Sequence, residues 1–181
     1  TGVYWIPLYE ILEEAGLQPI LVDAKSVQNV PGRKTDTQDC QWIQVLYSNG
    51  MLRAAYRPPR DRLKLRAYVR QRSTSIKTKQ YALLHIEKAL QLMNIKLSGV
   101  LGEIASVSGM AIIRAIVQEG VRDPSKLAML RNSRAKKSQK QFEDALSGNY
   151  QEEHLFALEQ ALGLYDFADT QLRACDKMVI A

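Results

Sequence analysis

Cysteine is nearly absent: the 181 residues include only Cys40 and Cys175. Two cysteines build neither a disulfide framework nor a zinc cluster. Such usage suits a reducing compartment, most simply a cytoplasm. Glycine and proline are scarce, at ten and six, which excludes collagen-like and loop-rich scaffolds. Long apolar runs are missing, and none approaches the ~20 residues a membrane helix needs. A membrane is therefore not expected as a partner. No leader pattern opens the chain. It starts on Thr1-Gly2-Val3, as though already inside a domain. What remains is globular composition, 46% apolar and 24% charged, with length for one domain or two small units.

The net charge of +6 is unevenly spread. Residues 1–52 carry −3, residues 53–79 carry +9, and residues 80–181 balance to zero. The basic segment holds Arg53, Arg57, Arg60, Arg62, Lys64, Arg66, Arg70, Arg72, Lys77 and Lys79 against Asp61 alone. Like charges packed so densely repel each other and await a polyanion, which points to nucleic acid. A solvated helix face kept for solubility is the plainer alternative.

Helical spacing places Leu8, Ile11, Leu12 and Ala15 on one face of a helix over residues 1–15, stopped by Gly16. Pro19 to Asp23 reads as a short buried strand. A second helix covers about 36–48, and Leu52 to Tyr56 suggests another strand before Pro58-Pro59. Alternation of helix and strand predicts an α/β domain over residues 1–57. Residues 58–181 read as an all-α, coiled-coil-containing region. From Asp61 to Ile95 there is no Gly or Pro. One heptad position takes Val69, Ile76, Leu83 and Leu90, all apolar. The other takes Leu65, Arg72, Lys79, Ile86 and Met93 and is mixed. The seam Ile76, Leu83, Ile86, Leu90 and Met93 calls for a helical partner, either the last helix of the same chain or a second copy. Shorter helices are expected at about 100–107, 110–118, 125–131 and 138–146, with Ser108-Gly109, Gly120 and Asp123-Pro124 as turns. A final helix over about 151–177 can pack antiparallel on the long one.

The most specific stretch is Pro31-Gly32-Arg33-Lys34-Thr35-Asp36-Thr37-Gln38-Asp39. Asp36 and Asp39 stand one turn apart on the second helix, and Cys40, Ile43, Leu46 and Tyr47 continue that face. Carboxylates heading an apolar stripe need compensation. A divalent cation such as Mg²⁺ supplies it, with Arg33 and Lys34 placed for phosphate oxygens. Acids in a first turn also favour the helix dipole without any metal, and spacing alone leaves both readings open. His85 and His154 are isolated and read as helix-surface residues; Trp5 and Trp42 read as core.

Thr1 to Trp5, Leu21-Val22-Asp23-Ala24, the Pro31 to Asp39 stretch with Trp42, Gly50-Met51-Leu52 and Pro58-Pro59 together resemble the DEDD transposases of bacterial insertion sequences. Asn94-Ile95-Lys96-Leu97 and Leu127-Ala128 are similar to their helical segment. That family uses a structured bridge RNA to choose donor and target DNA. The resemblance implies the end of an RNase H-like (RuvC-like) catalytic domain over 1–57, then a coiled-coil segment. It matches Asp36 and Asp39 to the last two of four metal-binding acids, which would act catalytically with Mg²⁺. The other two acids, and the family's nucleophilic Ser, find no counterpart, so an internal fragment inactive by itself is expected. It further implies DNA and guide RNA as partners, homo-oligomers on DNA, and a bacterial cytoplasm. Arg33, Lys34, Arg60, Arg62, Arg66, Arg70, Arg72, Lys77 and Lys79 are the expected nucleic-acid contacts. A non-enzymatic helical nucleic-acid-binding or dimerisation module, with the two acids merely capping, is the alternative.

Overall fold

The computed structural model describes residues 4–23, 27 and 36–180, residue 36 through its backbone only. It divides into two compact units, Thr1–Leu63 and Lys64–Ala181. In the first, α1 spans Trp5–Glu14 and α2 spans Asp36–Ser48. Pro7 falls in the first turn of α1, where a missing N–H is tolerated. Both helices end by the same device. Gly16 takes φ +78°, its N–H bonding the Glu13 carbonyl while the Leu17 N–H bonds that of Leu12. Gly50 takes φ +66°, with Gly50 on Tyr47 and Met51 on Leu46. Left-handed glycine makes this Schellman closure possible without a Cβ clash.

Side chains of α1 gather the other segments of this unit. The Tyr9 hydroxyl donates to the Pro19 carbonyl at 2.8 Å. One turn on, Glu13 accepts from Arg57 at 2.5 Å, and the guanidinium lies 4.1 Å over the Tyr9 ring. Apolar packing is thin: α1 buries no residue, and Leu46 is the one buried hydrophobe of this unit among the described residues. The two expected strands do not form. Among the described residues their pairing is a single antiparallel bridge, Val22 with Ala54, supported by Ala55 N–H on the Leu21 carbonyl at 2.7 Å. A stable sheet needs more strands and a covered face. Here Ile20 and Met51 are 51% and 66% exposed. The α/β reading of residues 1–57 is thus corrected to helices plus one bridge among the described residues, and the molecule is mostly helical.

Helix α3, Arg60–Leu92, has 33 residues and begins in the last turn of the first unit. The hydroxyl run Ser73-Thr74-Ser75 in its middle is helical. Thr74 and Ser75 donate to the carbonyls of Arg70 and Gln71, one turn back, so both hydroxyls are satisfied on their own helix. Asn94, at φ +59°, closes it, with Ile95 N–H on the Leu90 carbonyl. Then come α4 (Leu97–Val100), α5 (Val107–Gln118), α6 (Pro124–Met129), α7 (Gln139–Leu146) and α8 (Glu152–Ile180). Ser106 caps α5, Asp123 caps α6 ahead of Pro124, and Ser138 forms a capping box with Gln141 on α7.

Two expectations fail here. The helix expected over 100–107 does not form: the single turn α4 ends at Val100, Leu101 swings into extended backbone, and Ser106 starts a new helix. Ser108-Gly109, expected as a turn, lies buried inside α5. A Cβ on Gly109 would stand 2.1 Å from the Ile104 carbonyl oxygen, so glycine lets the preceding segment lie against the helix.

The core of the second unit joins Ile86 and Leu90 of α3, and Met93 just beyond its end, to Ile112, Ile113 and Ile116 of α5. Leu127, Phe142, Leu146, Leu158 and Leu162 complete it, and every one of these is 2% exposed or less. Arg72 bonds Asp176 at 2.6 Å and Lys79 bonds Asp169 at 2.5 Å. Seven residues forward on α3 match seven backward on α8, the antiparallel arrangement their apolar spacing allows. Arg114 of α5 clamps Asp166 of α8 through both terminal guanidinium nitrogens.

Candidate functional site

Asp36 opens α2 and Asp39 follows one turn later, exposed. The face they head is not a core stripe: Leu46 is buried, but Ile43 and Tyr47 are 41% and 62% exposed. Arg33 and Lys34, the expected phosphate contacts, lie outside the described residues. Among the described residues no three His, Cys, Asp or Glu side chains gather as a metal cluster. His85 is exposed beside the Tyr81 ring, with centroids 4.3 Å apart.

The basic residues of α3 separate into two populations. At about 100° per residue, positions 72 and 79 superpose on the packing face with 75, 82 and 86. Positions 66, 70 and 77 fall on the opposite face. Arg72 and Lys79 are accordingly half-buried and ion-paired to α8. Hydrogen bonding to Asp169 raises Lys79 above the usual lysine range, and the same bond lowers Asp169 below the usual carboxylate range. Lys79 also sits 4.8 Å over the Tyr165 ring. Arg66, Arg70 and Lys77 are exposed, with no ion-pair partner among the described residues. Arg60 and Arg62, in the first unit, are exposed as well.

The pairing of Arg72 and Lys79 explains the mixed heptad position. Cations stand in the seam because α8 presents Asp176 and Asp169 to them. The signal was legible: those two acids repeat at the same seven-residue step. Of the apolar seam, Ile86, Leu90 and Met93 are buried in their own unit, Leu83 packs on its core, and Ile76 is half-buried. Earlier on the helix, Leu65 and Val69 are each 47% exposed.

One cationic stretch escapes a charge count averaged over residues 80–181. Lys126, Arg131, Arg134, Lys136, Lys137 and Lys140 follow one another with no acid between Asp123 and Glu143. A narrower counting window would have found it.

Among the described residues no helix is long and apolar enough to cross a membrane. A search of curated proteins and a search of solved structures each gave no match. The family model for IS110-type DEDD transposases, described as Transposase, matches residues 1–95. That match takes in α1, α2 and the whole of α3, more than half of the chain, and by it the chain belongs to this transposase family.

Proposed function

We propose that this chain grips a nucleic-acid backbone with the outward face of α3 and lends two carboxylates to Mg²⁺-dependent DNA strand cleavage and exchange, with the DNA chosen through a guide RNA. The observation that carries the reading is the division of cations on α3. Packing against α8 uses Arg72 and Lys79, and each has its carboxylate. Arg66, Arg70 and Lys77 contribute nothing to that packing and remain as uncompensated charge on one face. A phosphate backbone relieves the repulsion and releases its own counterions. Stacking aromatics are scarce in the basic segment, where exposed Tyr56 and half-buried Tyr68 stand against ten cations, so backbone contact outweighs base readout.

Asp36 and Asp39 offer hard oxygen donors a turn apart, a chemistry that fits Mg²⁺ as two members of a larger donor set. Mg²⁺ held there supplies positive charge to the oxygens of the phosphoryl group being transferred. Arg33 and Lys34 precede the pair and hold non-bridging phosphate oxygens by charge-assisted hydrogen bonds. On this reading residues 1–57 belong to an RNase H-like catalytic domain in a bacterial cytoplasm. Leu8, Ile11, Ile43 and Tyr47, all open to solvent, are faces such a domain covers. Several copies meet on one DNA, and the open part of the seam, Leu65 and Val69, is what α3 leaves for a second copy.

Fluorescence anisotropy on a duplex of arbitrary sequence, titrated with salt, tests the interface. If about four phosphates are neutralised, the log–log slope is about −3 to −4, and Arg66→Glu with Arg70→Glu flattens it by about two. The far-UV spectrum stays helical. Binding equal to wild type overturns the interface. In the intact transposase, Asp36→Asn and Asp39→Asn each stop transposition with folding kept; an unchanged rate leaves the acids as helix caps.

A further inference from the structure

The stretch Lys126 to Lys140 forms a second cationic surface, on residues that the α3 reading does not use. Its six cations face no acid within the segment. Lys126, Arg134, Lys136, Lys137 and Lys140 are exposed and Arg131 is half-buried. None has an ion-pair partner among the described residues. Their density matches that of the α3 segment, ten cations over 27 positions there and six over 15 here.

The backbone carrying them is anchored before, within and after the loop. Asn132 N–H donates to the Oγ of buried Ser108 on α5 at 2.8 Å. The Asn132 side chain accepts from Arg134 N–H, and its carbonyl from Ala135 N–H, both at 2.9 Å. Ala135 packs on the core. Ser138 then opens α7 with its capping box, and Phe142 of that helix is fully buried. A loop so tied loses little further freedom when it binds, which removes part of the cost of association.

We propose that this loop is a second contact surface for the phosphate backbone of base-paired nucleic acid. Unpaired cations so close together oppose folding by mutual repulsion, and no ion pair among the described residues offsets it. The ligand class follows from what the surface offers. Between Pro124 and Gln141 there is no aromatic residue, so it has no platform on which unpaired bases could stack. It offers positive charge on an anchored backbone, and a duplex presents the denser and more regular array of phosphates. Paired DNA and paired RNA share that chemistry.

The test uses the full chain with Arg134→Ala, Lys136→Ala and Lys137→Ala combined, against duplex DNA, duplex RNA and a single strand of one arbitrary sequence. With α3 intact, affinity for at least one duplex falls about tenfold or more near physiological salt, and the salt slope flattens by about two to three. The duplex that responds names the source. Unchanged affinity and slope for both duplexes overturn the proposal, as does a larger loss on the single strand than on either duplex. The Arg66→Glu, Arg70→Glu variant measured alongside separates the two surfaces. Loss there with an unaffected loop variant overturns this inference alone; the reverse overturns the α3 interface alone. In the wild-type chain, duplex slows acetylation of Lys136 and Lys137; equal reactivity with and without duplex overturns the proposal without any question of folding.

Discussion

At an ordinary helix interior, glycine to alanine stabilises by about 1 kcal/mol. Gly109 should reverse that sign. Its Cβ would meet the Ile104 carbonyl at 2.1 Å and the Leu101 side chain at 3.1 Å. The first neighbour is backbone and cannot swing aside. Gly109→Ala is therefore expected to cost about 2 kcal/mol or more, read as a lower thermal midpoint; a midpoint equal to or above wild type refutes the close approach. In sequence, Ser108-Gly109 looks like a turn because both residue types favour turns wherever they occur. The caps are different. Ser106, Asp123 and Ser138 act on N–H groups two or three residues away, so each cap is a contact made within one turn of chain.

Among the elements, α3 and α8 illustrate how one ion pair couples two helices to pH. The hydrogen bond from Lys79 holds Asp169 below its ordinary value, with Arg173 adding to the effect. A depressed carboxylate stabilises fully above its unfolded value and loses that contribution as pH falls through the lower folded one. Lys79 is raised, so its contribution is complete below the ordinary lysine value and lost as pH climbs through the higher folded one. The pair works from about pH 4 to about pH 10. Asp169→Asn is expected to cost about 1 kcal/mol at neutral pH. Denaturant titrations should show that difference shrinking below about pH 4; a constant difference would mean the change acts through packing. Its register could be read from the heptad steps of Arg72, Lys79, Asp169 and Asp176. The strands could not be kept, because the bridge at Val22 and Ala54 has no covered face to extend it.

Over the whole molecule, burial is concentrated in one unit. Helix α5 buries Ile112, Ile113, Ala115 and Ile116, whereas α1 buries nothing. Local opening is easiest where few apolar contacts are lost. Hydrogen exchange should therefore be fast along α1 and slow along α5 and the second half of α3; equal protection of α1 and α5 would contradict this. The amino-acid sequence by itself determined most of the helices, the basic segment and the motif carried by the transposase family. These depend on periodicity and on neighbours within a turn. Only the tertiary structure decided which cations are free. Arg72 and Lys79 find their acids 104 and 90 residues away, and no local pattern weighs a residue against a partner so distant. The same reason hid the stretch from Lys126 to Lys140: the acids that balance its charge in the sum lie outside it and make no ion pair with it among the described residues, and balance in the sum is not contact in space.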